Sequence, residues 1–450
     1  MFYINRHIDK DLLAWKASQN RKPLLLRGAR QVGKSSSIRE LGRQFEFFVE
    51  VNFDEKQAVH TLFKRDLSPR QICDELSAIF STPIVAGRTL LFFDEIQACP
   101  AAISSLRYFY EQMPELHLAA AGSLLEFALR ELPSFGVGRI RSLFLFPFSY
   151  DEYLRATGDA LLADAIRKAT PASPCSEAVH QKAVQKLIRF ILIGGMPEVV
   201  SIDAAGGGLL ECQRALDDLI LSFFDDFAKY KARVPALRLR EVFASAMEQT
   251  GRKFVYSRAT PTATHAQIKE AVALLEMAGL LHPVTHTPAS GLPLAAGQNA
   301  KHNKYLVPDT GIFQRFLKLD LEKMLLADTL AQINKGAAAE LFAGLEILKN
   351  SPAENPAPPH YWRREQRGSN AEVDYVVQRG NAIVPVEIKS GQRGTMQSLR
   401  LFMGEKNVPI GIRSTLENFG ALPQIDIVPL YALGAFLAQN PSQPPQPSLP

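Results

Sequence analysis

The sequence predicts an α/β protein: a parallel sheet carrying a phosphate-binding loop, then a helical and winged-helix region, then a second α/β unit. Three observations predict it. Residues 28–35, Gly-Ala-Arg-Gln-Val-Gly-Lys-Ser, fit the pattern G-x-x-x-x-G-K-[ST] in full. Residues 89–95, Thr-Leu-Leu-Phe-Phe-Asp-Glu, read as a buried strand ending in two acids. Towards the C-terminus, two strand-like runs around Gly380-Asn381 carry Asp374, Glu387 and Lys389.

The glycine loop has the neighbours it needs. Leu24-Leu25-Leu26 precedes it as a strand, and a helical pattern begins near Ser35. A strand feeding such a loop into a helix points successive backbone N–H groups at phosphate oxygens, and the helix N-terminus adds partial positive charge. Gly28 and Gly33 permit the tight turns. Ala29, Arg30, Gln31, Val32 and Ser36 complete the cradle. Lys34 is placed to reach the β- and γ-phosphates of a nucleotide, and the Ser35 hydroxyl to ligate Mg²⁺. A chance glycine turn with a surface lysine is the plainer explanation, but the second motif argues against it. Its continuous apolar run suits a parallel strand buried on both faces, with the acids at the edge where ligands bind in open α/β sheets. Asp94 is expected in the Mg²⁺ shell and Glu95 beside the attacking water.

A third strand is expected over Leu116–Ala121, ending at Gly122-Ser123. Ser123 is placed either to sense the γ-phosphate or to cap the following helix, and both readings stand. Gly136-Val137-Gly138-Arg139-Ile140-Arg141 offers Arg139 as an arginine finger for a neighbouring subunit in a homo-oligomer, or as a solvated loop residue.

These segments together resemble the prokaryotic AAA-type ATPases that carry a fused C-terminal nuclease-like domain. Gly-Ala-Arg-Gln-Val-Gly-Lys-Ser, Phe-Phe-Asp-Glu-Ile-Gln, Ala-Gly-Ser and Gly-Arg-Ile carry the resemblance, as do residues 145–154 and Gly194-Gly195-Met196-Pro197-Glu198-Val199. It implies an ATPase fold, ATP rather than GTP, and the domain order 1–158 ATPase core, 159–235 helical region, 236–310 winged-helix-like region, 311–334 helical linker, 335–438 nuclease-like domain and 439–450 disordered tail.

Composition fits a multidomain globular chain: 450 residues, 46% hydrophobic and 22% charged. Nothing reaches the ~18 uninterrupted apolar residues of a membrane span, and no signal-peptide pattern opens the chain. Four isolated cysteines favour a reducing compartment, so a cytoplasmic protein without a membrane partner is expected. The net charge of +5 is concentrated between residues 229 and 287, where nine Lys/Arg stand against four Asp/Glu. There Thr264–Gly279 reads as a helix with a glycine stop, and strands follow at Leu280–Val284 and Lys304–Val307. That order is how a winged helix reads. DNA contact by this region and packing between domains are both open, since only Lys269 lies on the helix while Arg252, Lys253 and Arg258 precede it.

In the C-terminal unit a two-residue turn at Gly380-Asn381 sets Arg379 opposite Ala382, hence Asp374 opposite Glu387 and Glu372 opposite Lys389, all on one face. Two carboxylates at about 5 Å repel unless neutralised, which points to Mg²⁺ or Mn²⁺ between oxygen ligands. Glu340, on a helical run from Gly336, is a further candidate ligand, and Lys389 is placed to activate a water against a phosphodiester. The set Asp374, Glu387, Lys389 resembles the PD-(D/E)xK nuclease core. The sequence leaves two functions in play: an ATPase that controls a metal-dependent nuclease acting on DNA, or a nucleotide-controlled switch whose nuclease-like domain binds a protein or nucleic acid without cutting.

Overall fold

The computed structural model describes residues 3–65, 68–123, 125–131, 138–228, 234–318, 336–364, 370–389 and 396–439. The chain forms two compact units, one of residues 1–147 with 277–279 and 352–356, the other of 148–276, 280–351 and 357–450.

The first unit is built on five parallel strands, β1 (Leu24–Arg27), β2 (Phe47–Asn52), β3 (Thr89–Asp94), β4 (His117–Ala121) and β5 (Arg141–Phe144), in the order β2-β3-β4-β1-β5. Helices from both faces cover the sheet, so its strands are apolar on both sides. Leu25, Leu91, Phe93, Leu118 and Ala120 pack into one core, and their neighbours Leu24, Leu26, Leu90, Phe92, Ala119 and Ala121 into the other. That period-two split is why the motif at 89–95 reads as an unbroken hydrophobic run. Parallel register sets Phe93 beside Ala120 and Leu26 beside Ala121, so the ends of β1, β3 and β4 share one edge.

The second unit begins with helices and closes with an eight-stranded mixed sheet. Ser149 and Glu152 form a capping box for the helix Tyr150–Ala156, whose Tyr150 hydroxyl donates to the Ala183 carbonyl at 2.7 Å. Gly194 (φ +77°) and Gly195 follow the helix Glu177–Ile193, where side chains would not fit: a Cβ on Gly195 would lie 2.3 Å from the Phe148 carbonyl oxygen. Buried Asp309 accepts from the amides of Gly195 (2.6 Å), Gly311 (2.8 Å) and Ile312 (3.1 Å), capping the helix Thr310–Phe316. The segments 148–154 and 194–199 thus serve packing.

The sheet runs β12 (Gly420–Leu422), β13 (Ile425–Pro429), β11 (Gly411–Thr415), β10 (Ala382–Ile388), β9 (Glu372–Arg379), β8 (His360–Arg363), β6 (His282–His286), β7 (Asn299–Leu306). Here the expected winged-helix and nuclease-like regions are not separated in the sheet. The helix His265–Met277 forms where the sequence places it, but β6 and β7 do not end as a separate wing. An isolated ribbon of two strands is marginal in water and leaves an open edge. β6 covers that edge by pairing in parallel with β8, Thr285 beside His360 and His286 beside Tyr361. The expected winged-helix and nuclease-like regions therefore share one sheet, and the first unit closes at 147 rather than 158. Most of the expected linker at 311–334, and the expected tail from residue 440, lie outside the described residues. Among the described residues no helix is long and apolar enough to cross a membrane.

Candidate functional site

The phosphate loop leaves β1 at Gly28 (φ +146°), turns through Gln31 (φ +63°) and enters the helix Lys34–Gly42 from Gly33 (φ +99°). Gly28 has a second constraint, since a Cβ there would sit 2.1 Å from the Leu145 carbonyl oxygen. Lys34 is buried and its ammonium donates to the carbonyls of Gly28 (2.9 Å) and Ala29 (2.6 Å), folded over the loop it serves. Burial lowers its pKa to about 8, against the pull of Glu95 and Asp94.

Across the sheet edge the Ser35 hydroxyl donates to Asp94 Oδ1 at 2.9 Å. This contact joins the two motifs read separately in the sequence. Burial pushes the Asp94 carboxyl upward, opposed first by the Ser35 hydrogen bond. Arg39, ion-paired with Glu50 at 2.6 Å, stands 3.7 Å from Asp94 Oδ2. Two oxygen donors this close suit Mg²⁺, which takes one or two protein ligands and keeps several waters.

Glu95 has a left-handed backbone (φ +48°) that turns its side chain towards the end of β4. One carboxylate oxygen, Oε2, accepts from Gln97 Nε2 (2.5 Å), Ser123 Oγ (3.2 Å) and the Ser123 amide (3.3 Å). Ser123 is therefore a partner of Glu95, brought there because β4 lies between β1 and β3. Gln97 is missed by reading the sequence, although it lies two residues past Glu95 and its amide is a donor. Gln97 Oε1 is buried without a hydrogen-bond partner, and a Cβ on Gly122 would come within 1.9 Å of it. Arg139 is exposed and ion-paired to Glu111 of its own chain at 2.6 Å.

The second cluster lies on β9, β10, β7 and the helix Ala337–Lys349. The hairpin register is the one the turn dictates, from Ala382 beside Arg379 to Val386 beside Tyr375. Asp374 and Glu387 lie one residue beyond, and Asp374 Oδ2 accepts the Ile388 amide at 2.8 Å. The expected Glu372–Lys389 pair does not form. At Ile388 the chain leaves β9 for β11, and the Lys389 amide donates to Ser414 O at 2.9 Å. Lys389 Nζ turns back to Glu387 Oε1 at 2.6 Å. Glu372 instead meets Lys304 at 2.7 Å.

Lys304, from β7, is the residue that no sequence pattern places here. It is 3% exposed and also bonds Glu340 Oε1 at 2.8 Å, so Glu340 faces the cluster but holds an ammonium. Burial pushes Glu340, Asp374 and Glu387 upward; Lys304 opposes this at Glu340 and Asp374, while Asp374 adds to it at Glu387. Among the described residues no three His, Cys, Asp or Glu side chains are arranged to hold a metal. Asp374 and Glu387 remain a two-carboxylate set, and Glu387 Oε2 is buried with no hydrogen-bond partner.

Residues 20–154 match the family model described as an AAA domain. They form an AAA-type P-loop ATPase domain. Residues 184–323 and 335–433 match two further models, each described as a domain of unknown function (DUF8612 and DUF4143). No curated protein matches the chain. Among solved structures, the chain is similar to the Aeropyrum pernix ORC1 protein in complex with DNA, at 14% identity over 72% of this chain and 93% of that one, with a TM-score of 0.28. It is similar also to Drosophila ORC bound to DNA, at 15% identity over 69% and 86%, with a TM-score of 0.24. A likeness at TM-scores this low carries no functional argument.

Proposed function

We propose that the protein hydrolyses ATP with Mg²⁺ in its first unit and uses that cycle to control a nuclease-like site in its second, with DNA as the substrate. The observation that carries the first half is the 2.9 Å contact between Ser35 and Asp94, which joins the phosphate loop to the acid strand. Loop amides and Lys34 would hold the phosphate oxygens, and Ser35 with Asp94 would hold Mg²⁺, whose charge offsets that developing on the phosphates. Glu95 would orient and polarise the water. Its three hydrogen bonds to Gln97 and Ser123 keep that carboxylate in a fixed place, and their release would gate turnover.

For the second half, support comes from Asp374 and Glu387 on adjacent antiparallel strands, Lys389 two residues on, and the buried, unsatisfied Oε2 of Glu387. The surrounding order of helix, three antiparallel strands, helix and parallel strand fits the restriction-endonuclease-like reading. Exposed Arg252, Lys253, Arg258 and Arg363 are available to a phosphate backbone, whereas Arg364 is engaged by Glu405 at 2.5 Å. One observation favours a non-cutting switch instead: Lys304 already neutralises two of the four acids. Steady-state ATP hydrolysis with Lys34→Ala and Glu95→Gln tests the first half. Wild-type rates in both variants would remove the assignment. Loss in both, with nucleotide binding retained only in Glu95→Gln, is expected.

A further inference from the structure

We propose that Lys304 stands in place of a second cation, so that the C-terminal site admits one divalent ion, between Asp374 and Glu387. The proposal rests on the nuclease-like reading above and adds to it a residue from outside the helix-and-strand unit that carries the motif. Four carboxylates meet here, Glu340, Glu372, Asp374 and Glu387, with two ammonium groups, Lys304 and Lys389. If all are ionised, two negative charges remain uncompensated, the charge of one divalent ion.

The hydrogen bonds say where that ion belongs. Lys304 Nζ bridges Glu340 Oε1 (2.8 Å) and Glu372 Oε1 (2.7 Å), as a metal would bridge two carboxylates. Its stem is buried in β7 and its ammonium lies 5.2 Å from the Tyr361 ring centroid. Removing this ammonium would leave the largely buried Glu340 without its cation and the half-buried Glu372 without its partner, so the bridge is a fixed part of the site. On the other side, Lys389 occupies only Oε1 of Glu387, and Oε2 is buried and unsatisfied. A hard cation that takes one or two carboxylates and completes its shell with water and substrate phosphate fits that oxygen. Glu340 is then a holder of Lys304 and no metal ligand.

The test is Mn²⁺ binding to nucleotide-free full-length protein, read from the electron paramagnetic resonance of free Mn²⁺. Counted above the Glu387→Gln protein, which keeps any ion held by Ser35 and Asp94, wild type should bind one ion. On the same count Lys304→Met should bind two, and Lys304→Arg, which keeps the charge, one. Two ions lost from wild type with Glu387→Gln, or one in a folded Lys304→Met, would overturn the proposal. No ion lost with Glu387→Gln in wild type would instead overturn the nuclease-like reading beneath it. Should Lys304→Met fail to fold, Glu340→Gln decides. A single Mn²⁺ ion retained in Glu340→Gln, at an affinity within the roughly 100-fold that an outer-shell change can cost, supports the bridge, whereas loss of that ion as in Glu387→Gln makes Glu340 a ligand and ends it.

Discussion

Lys34 donates to the carbonyls of Gly28 and Ala29, and its low pKa of about 8 follows from burial. A phosphate attracts the charged form, so above pH 8 the free site must first take up a proton. ATP affinity should therefore fall as pH rises from 7 to 9, by up to about tenfold per unit beyond 8. A fluorescent-nucleotide titration at both values checks this, with Lys34→Ala as the variant whose weak residual binding is independent of pH. Glu95→Gln keeps the shape of the side chain and removes its charge. It should bind ATP normally while turnover drops by about 10²–10³, measured as phosphate release. Gly122→Ala drives a methyl into Gln97 Oε1 and should disturb Glu95 without touching the phosphate loop. Its expected signature is a lower kcat at unchanged nucleotide affinity.

At the scale of elements, legibility in the sequence depends on how local the determinant is. The loop–helix junction and the acid strand are written in contiguous residues, and both form as expected. The β9–β10 register follows from Gly380-Asn381 alone, since a two-residue turn leaves no freedom in the pairing. Lys304 and Gln97 are illegible for opposite reasons. Lys304 reaches the cluster only because β6 pairs with β8, a contact between distant segments, while Gln97 closes the string Phe-Phe-Asp-Glu-Ile-Gln without an amide side chain itself naming a role. The same non-local pairing turns the expected wing into the sheet's edge. The Gly194-Gly195 segment shows how a motif can be structural: its Gly195 amide is one of three that Asp309 satisfies, and Asp309 is itself pushed upward by burial, with Lys349 opposing. Asp309→Ala should cost about 2–4 kcal/mol of unfolding free energy in urea, because those donors lose their acceptor in the interior. A loss under about 0.5 kcal/mol would show that water replaces the carboxylate.

In the whole molecule, an AAA-type P-loop ATPase domain is joined to a second unit in which Glu340, Glu372, Asp374 and Glu387 gather around Lys304 and Lys389. Each half should fail separately. Nucleotide turnover would depend on Ser35, Asp94 and Glu95, and strand cleavage on Asp374, Glu387 and Lys389. Mutations in one set should leave the other unit folded, as followed by hydrogen exchange of β1 and β10. The decisive experiment is cleavage of supercoiled, linear and branched DNA by the purified protein with Mg²⁺ or Mn²⁺, with and without ATP, beside Lys389→Ala. Cleavage that Lys389→Ala abolishes, and whose rate changes with ATP, is expected if the second unit is a nuclease under nucleotide control. Intact DNA on every substrate, with ATP still hydrolysed, would contradict that function and leave a nucleotide-controlled switch.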